Sequence, residues 1–223
     1  MKISKYFLLL ISCILLSACG PLRGKSIMAT TGLKNYEVTK GDVMKLKEVK
    51  NLLVVGPFFG KGTEQLTCTP KTACIYPDNM DINFVTKYND ARRFAHGFQE
   101  AKLFDTELYL DVDYTRIKKT TGQLKLMSSR ELKKELNLKY APDMILFGVV
   151  SKRDRKVAPT YGVVVDVQYE LEFYDPASHQ SITIDVDVMN LFKEDMKTII
   201  RETKKSMGLP IEKDPPPVKP VRS

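Results

Sequence analysis

Tryptophan is absent from this 223-residue sequence, and only two histidines and four cysteines occur. Histidine is the side chain that changes charge near neutral pH and is the commonest transition-metal ligand, so its scarcity argues against histidine-based catalysis and a transition-metal centre. An apolar run of about 20 residues, long enough to span a bilayer, is also missing. We therefore expect no catalytic residue, no metal and no cofactor, and we predict that the chain is not an enzyme.

The composition is that of a globular protein. Hydrophobic residues make up 43% of the chain and charged residues 28%. A chain of this length and apolar content can bury a core. Lys and Arg outnumber Asp and Glu by 35 to 27, which gives a formal net charge of +8. Such a surface suits an anionic lipid, an anionic cell-wall polymer or an acidic protein face.

The first 18 residues have the pattern of an export signal. Lys2 and Lys5 precede an apolar stretch at 6–16, and the sequence Leu-Ser-Ala-Cys ends at Cys19. About eleven apolar residues are too few to cross a bilayer. The tetrapeptide resembles the bacterial lipobox, which implies cleavage before Cys19 and attachment of a diacylglycerol to its sulfur. A plain export signal cut after small residues is the alternative.

Lipidation at Cys19 predicts that the mature chain stays on a membrane surface, because several acyl chains anchor firmly. Gly20 follows in place of Asp, and by resemblance to enteric sorting rules this favours the periplasmic face of the outer membrane. Removing residues 1–18 deletes two lysines and lowers the net charge from +8 to +6. We expect an envelope protein complex as partner, with an anionic cell-wall polymer as the alternative. Nucleic acid is excluded by this compartment.

Two other cysteines remain in the mature chain. Cys68 and Cys74 are separated by five residues, Thr-Pro-Lys-Thr-Ala. An even pair of cysteines in an exported protein usually forms a disulfide, and we predict one here. The alternative, a redox or metal-binding pair, has unfavourable spacing and no neighbouring histidine.

Composition divides the chain into four parts. Residues 1–18 form the signal peptide, and residues 19–35, with Gly and Thr but no apolar period, are interpreted as a lipidated tether. Residues 36–207 are predicted to form a single α/β domain. Residues 208–223 contain five prolines among basic residues, a composition typical of polyproline II. This tail is either a solvated terminus or a docking peptide for a partner.

Inside the domain the hydrophobic pattern predicts alternating strands and helices. Apolar residues at steps of three and four predict helices, and strict alternation predicts strands with one wet face. Ser128 and Glu131 have the spacing of a capping box, with Met127 and Leu132 placed as a hydrophobic staple. The predicted elements are a strand at 52–58, a helix at 84–103, a strand at 107–117, a helix from 128, a strand at 143–151, a hairpin of strands at 163–173 and 182–188, and a helix at 192–207.

This order predicts an α/β fold. We expect a two-layer mixed sheet of about five strands, with the helices packed on one face and right-handed crossovers between parallel strands. The polar sides of the hairpin strands then face water or a partner.

Four segments together resemble the pattern of TolB amino-terminal-like lipoproteins. They are an apolar strand at 51–59 that ends in Gly-Pro-Phe-Phe, the region 128–138, the Tyr-Ala-Pro-Asp entry into an apolar strand at 140–143, and the hairpin strand ending in Phe-Tyr-Asp at 173–175. This group includes lipoprotein activators of penicillin-binding proteins, the curli-secretion lipoprotein and flagellar outer-membrane lipoproteins. The resemblance implies a TolB N-domain-like fold and action through binding other proteins.

Two sequence patterns are candidate sites for catalysis or ligand binding. The glycine-rich stretch from Gly56 to Gly62 follows a strand, but a phosphate loop needs different glycine spacing and Ser or Thr directly after its Lys. A plain loop is the better interpretation. Two aspartate pairs each project from one strand face, and paired carboxylates can serve glycoside hydrolysis or calcium binding. The alternation itself explains them better, because the wet side of a sheet is normally polar, and a partner surface is the other alternative. The pairs are Asp111 with Asp113, and Asp185 with Asp187.

The densest charge in the chain is a basic run between two predicted strands. It contains Lys152, Arg153, Arg155 and Lys156. We expect this run to form an exposed hairpin tip. Its charges serve either edge protection and solubility, or an electrostatic contact with an acidic protein or anionic polymer.

These observations favour a lipid-anchored, non-enzymatic periplasmic protein. It is predicted to act as an accessory or docking subunit of an envelope machine for cell-wall synthesis, motility or secretion. The alternative is a ligand-binding or hydrolytic envelope lipoprotein that uses a cleft near Gly56–Gly62 and the acidic strand faces.

Overall fold

The fold is built on one mixed β-sheet. The computed structural model describes residues 24–56, 58–60, 90–110, 117–158, 160–192 and 194–211. In these ranges the strands are β1 (Gly32–Lys40), β2 (Asn51–Val55), β3 (Phe59–Gly60), β4 (Asp105–Tyr109), β5 (Met144–Ala158), β6 (Gly162–Asp175) and β7 (Gln180–Leu191). The helices are a short helical stretch at 24–28, a 3-10 helix at Val43–Glu48, α1 (Asp90–Glu100), α2 (Ile117–Leu126), α3 (Ser129–Glu135) and α4 (Asp195–Ser206). Each of these helices is too short or too polar to cross a bilayer.

The sheet has an antiparallel half and a parallel half that meet at β5. The strand order is β1-β7-β6-β5-β2-β4, and β3 pairs with β5 beyond the end of β2. Neighbours from β1 to β5 are antiparallel, whereas β2 runs parallel to both β5 and β4. Antiparallel neighbours can be joined by short turns, but parallel neighbours need crossovers. The crossovers in this chain contain α1 in one case and α2 with α3 in the other.

Helices cover both faces of the sheet. The larger core lies under α1 and α4, which we call the α1/α4 face, and includes Phe98 and Ile199. A second core lies on the opposite face, where Leu132 of α3 packs over Leu53 and Ile145. The expectation that all helices pack on one face is therefore wrong. Strands in a parallel arrangement are buried on both sides, which is why β2 has a continuous apolar sequence.

The rest of the second face, formed mainly by β6 and β7, carries polar side chains. Along the middle of β6 and β7 the apolar residues point toward α1 and α4, and the alternating polar residues point away. Val164 and Met189 are exceptions, because they lie on the polar side and are buried in a small cluster with Ile27 and Met28. Glu37, Asp185 and Glu170 are directly opposite one another on three neighbouring strands. Like charges in such positions repel, so this acidic row needs solvent or a countercharge. The predicted wet face of the hairpin is thus present.

Several predicted elements are confirmed by the structure. The apolar strand is β2, the β6–β7 hairpin turns between Asp175 and Gln180, and the C-terminal helix is α4. The capping box at Ser128 is complete, since its side chain accepts from the Glu131 amide and the Glu131 carboxylate accepts from the Ser128 amide. Residues 127 and 132 both belong to the core beneath α3, as the staple requires.

Other boundaries differ from the predictions. Strand β1 begins at Gly32, inside the stretch interpreted as a tether, and pairs with β7 at the edge of the sheet. Within the described ranges the sheet has seven strands in place of about five. The predicted strand at 107–117 ends as β4 at Tyr109, and Ile117 begins helix α2. The first difference arises because β1 is an edge strand with no fully buried residue. Its apolar residues Leu33, Tyr36 and Val38 are only partly buried, and a register shift after Leu33 interrupts their alternation.

Candidate docking groove

The structure places the predicted site residues in different parts of the molecule. The lipidation residue Cys19, the cysteine pair Cys68 and Cys74, and the aspartates Asp111 and Asp113 lie outside the described residues. Gly56 follows β2 and is buried, and the later residues of the predicted loop, from 61 to 62, also lie outside the described ranges.

Asp185 and Asp187 lie on the polar face of β7, facing away from α1 and α4. Gln168 donates a 2.9 Å hydrogen bond to Asp187, which accounts for one of its two oxygens. The other oxygen has no hydrogen-bond partner within the described part of the chain. In the same ranges, no three His, Cys, Asp or Glu side chains come together in a way that could hold a metal ion.

The basic run is not a hairpin tip. It lies within β5, which stays extended to Ala158, and its side chains alternate between the two faces of the sheet. Lys152 and Lys156 point to the polar face, whereas Arg153 and Arg155 point to the α1/α4 face. The four basic side chains therefore do not form the single exposed cluster that we expected, but lie as two pairs on opposite faces of the sheet. A partner-binding role for these four residues remains a prediction.

Lys152 takes part in a charge bridge on the polar face. Asp166 accepts from Lys34 of β1 at 2.8 Å and from Lys152 of β5 at 3.1 Å. Burial by itself raises the pKa of Asp166, but the hydrogen bonds and charges of the two lysines lower it overall. The bridge thus connects strands that are not neighbours in the sheet.

We predict that Asp166→Asn makes the fold less stable at neutral pH by about 1 kcal/mol, a value reduced by solvent screening at the half-exposed lysines. Because the pKa of Asp166 is lowered in the folded state, its ionised carboxylate stabilises the fold at pH values above the ordinary pKa of 3.8. This contribution is lost as the pH falls through the lowered folded-state pKa, so the difference from wild type should vanish in acid. Urea unfolding across that pH range measures it. Asp154→Asn, at a carboxylate 57% exposed, is the control, and an acid-insensitive deficit would contradict the prediction.

Arg153 belongs to a buried charge cluster under the start of α1. Its guanidinium donates to Asp90, the first residue of α1, whose exposed fraction is 8%. Tyr169 of β6 donates a 3.0 Å hydrogen bond to the other Asp90 oxygen. Burial, followed by the nearby Asp90 charge, raises the pKa of Tyr169 well above its ordinary value. Tyr169 is therefore a neutral donor, and α1 is held to β5 and β6 by charge.

A second pair extends the cluster to α4. Arg93 donates to Asp195, the first residue of α4, and to the carbonyl oxygen of Phe192 at 2.7 Å. The guanidinium also lies 4.0 Å from the centre of the Phe192 ring. Asp195 is fully buried, and burial raises its pKa despite the opposing effect of Arg93. The cluster thus joins the first turns of α1 and α4.

The two helices enclose a groove of about 840 Å³, within the usual range of ligand pockets. They approach closely at Gly97, where a Cβ atom would lie 2.3 Å from the Ile200 side chain. Because Arg93 meets Asp195 and Gly97 meets Ile200, the helices run in the same direction, and the charge cluster closes one end of the groove. Ala101, Met196 and Ile211 contribute further apolar lining.

Positive charge dominates the edges of this groove. Six cationic side chains line it against one carboxylate, that of Glu100, which also pairs with His96 at 3.3 Å. The six are Arg92, Arg93, Lys102, Lys197, Arg201 and Lys204. Field lines concentrate in a concave surface with low-dielectric walls, so this groove attracts anionic groups more strongly than scattered surface lysines do.

This groove is not among the sites that the sequence predicts. Its cations are spread over residues 92–204 and are adjacent only because α1 and α4 pack together. The signal that pointed to it was weak. Cationic residues recur at four- and three-residue spacing on α4, at Lys197, Arg201 and Lys204, whereas the cations of α1 are the adjacent pair Arg92 and Arg93.

Comparison with known proteins gives little further information. No protein-family model matches the chain, and no curated protein matches it. Among solved structures, the PelC dodecamer from Paraburkholderia phytofirmans is similar with 10% identity and a TM-score of 0.41 over 79% of this chain and 98% of that chain. A leucine-to-methionine variant of that dodecamer gives 11% identity and 0.39, over 78% and 91%. Likeness at this level does not carry a function to this chain.

Proposed function

We propose that the protein is a lipid-anchored, non-enzymatic accessory subunit of an envelope machine, with a TolB N-domain-like fold, and that it docks its partner through the α1/α4 groove. The observation that carries this proposal is the groove itself, a concave surface with an apolar floor and cationic edges. Such a combination of a desolvated centre and a charged rim is typical of protein interfaces.

The lipobox-like sequence ending at Cys19 supplies the anchor in this proposal. Acyl chains on Cys19 keep the domain at the periplasmic face of the outer membrane. Residues 20–31 separate Cys19 from the first strand of the sheet, which begins at Gly32. Confinement to a surface raises the effective concentration of a docking domain near a membrane partner. A weak contact is then sufficient for function.

Cell fractionation and site-specific photo-crosslinking in the native envelope test both parts. A photoreactive residue at Lys197 is expected to crosslink to one envelope protein, whereas the same residue at Lys133 on α3 is not. Cys19→Ala is expected to release the protein from the membrane fraction and to reduce the crosslink. If Cys19→Ala is processed normally and stays membrane-bound, the anchoring part is wrong. If both positions crosslink equally, the docking part is wrong.

A further inference from the structure

We propose that the occupant of the α1/α4 groove is a short acidic amphipathic helix of a partner protein. This inference rests on the proposed docking function and adds the chemistry of the partner. It is drawn from three features of the groove: its charge, its floor and its shape.

The charge requires an anionic occupant. Arg93 is neutralised within the buried cluster by Asp195, but Lys102, Lys197 and Lys204 also line the groove, and Glu100 is the one carboxylate on the described lining. Lys197 pairs with Glu194 at 3.0 Å, yet its side chain is 73% exposed, so that pair is weak and can be exchanged for a partner carboxylate. Opposite charge on the occupant then speeds association and selects the partner.

The floor requires apolar groups on the same occupant. Ala101, Met196, Ile200 and Ile211 supply aliphatic surface, and Ile211 is 41% exposed although it is a large hydrophobic residue. A sugar chain presents hydroxyl groups that an aliphatic floor cannot hydrogen-bond, and burying them there is unfavourable. An acidic peptide with an apolar stripe satisfies both the floor and the rim.

The shape favours a helix. The lining residues of α4 run from Met196 to Lys204, a distance of about 12 Å at 1.5 Å per residue. Two helices side by side form a trough that receives the ridge of a third helix, and peptides dock this way through residues spaced three and four apart. A flat bilayer surface cannot reach the floor of such a trough.

The test uses the mature chain, residues 19–223, with Cys19→Ser so that no acyl chain contributes. Three fluorescent helical peptides of about 16 residues, long enough to extend beyond the groove, are titrated by anisotropy. The first has a leucine stripe flanked by glutamates, the second has lysine in place of the glutamates, and the third has serine in place of the leucines. We expect the first to bind about tenfold more tightly than either control, a difference near 1.4 kcal/mol.

Charge reversal in the groove provides the variant arm. Lys102→Glu with Lys204→Glu, at the open end of the groove, is expected to weaken binding of the acidic peptide about tenfold or more. Lys133→Glu with Lys134→Glu is the matched control. These exposed lysines occupy the last turn of α3, just as Lys204 occupies the last turn of α4, but α3 lies on the other face of the sheet. Thermal melting confirms that each double variant is folded. Equal loss in the two double variants would overturn the proposal.

Two further measurements separate other occupants. Vesicles with about 30% anionic lipid are titrated in place of the peptide, and light scattering reports the oligomeric state. Vesicle binding that depends on Lys102 and Lys204, without peptide binding, would assign the groove to the membrane and overturn the proposal. Self-association that these substitutions abolish would assign it to a second copy, with the same consequence. Because the protein in this test carries no acyl chain, a negative result would not affect the conclusion about anchoring through Cys19, which fractionation tests separately.

Discussion

Replacing Asp90 with alanine is expected to lower the free energy of unfolding by about 3–5 kcal/mol, the usual cost of breaking a buried ion pair. The carboxylate accepts from Arg153 and Tyr169, and Arg93 lies 3.5 Å away. Without Asp90, the Arg153 guanidinium, whose side chain is 14% exposed, keeps its charge in a nearly dry site. Urea unfolding of residues 19–223, followed by circular dichroism, measures the loss.

A double-mutant cycle shows how much of this loss comes from the charge left behind. Arg153→Met removes that charge while keeping an apolar side chain of similar length. The combination of Asp90→Ala and Arg153→Met should therefore be more stable than the sum of the single losses predicts, by about 2 kcal/mol. Strict additivity would mean that the two side chains do not interact. Asp105→Ala, at an exposed carboxylate on β4, should change stability by less than about 0.5 kcal/mol.

The charge cluster also shows what sequence patterns do not reveal. Adjacency in sequence places Arg153 in one basic run with its neighbours, yet alternation along β5 directs its side chain to Asp90, 63 residues earlier in the chain. Periodicity identifies which side chains share a face, but it does not say which distant residue lies opposite. Secondary elements with strong local determinants were predicted well, such as the capped helix α3 and the β6–β7 hairpin.

Long-range arrangement explains the remaining errors in the fold. A helix can be predicted from its apolar stripe, but the face of the sheet on which it packs depends on the crossover that carries it. Helices α2 and α3 follow β4 and pack over Leu53 and Ile145, so they cover the face opposite α1. The docking groove depends on the same arrangement, since Gly97 and Ile200 meet only after α1 and α4 pack on one face.

Phe98→Ala is expected to destabilise the fold by about 3–5 kcal/mol, because truncating a buried aromatic residue leaves a cavity. Phe98 is fully buried between α1 and the sheet. Its ring centre lies 5.3 Å from that of Phe104 and 6.2 Å from that of Phe173. These edge-on contacts add to the area that the ring buries. Chemical unfolding gives the magnitude, and Phe98→Leu should recover most of the loss.

Amide hydrogen exchange shows whether Phe98 stabilises mainly the packing of α1 on the sheet or the whole domain. The Phe98→Leu variant is used because it keeps the fold. If Phe98 mainly holds α1 on the sheet, the amide exchange rate should increase more in α1 than in α3, since α3 packs on the other face. Leu126→Ala is the control, since this leucine is 82% exposed and its truncation should change stability by less than about 0.5 kcal/mol. Equal acceleration in α1 and α3 would show that both helices open only with the whole domain. The groove would then be as rigid as the core beneath it.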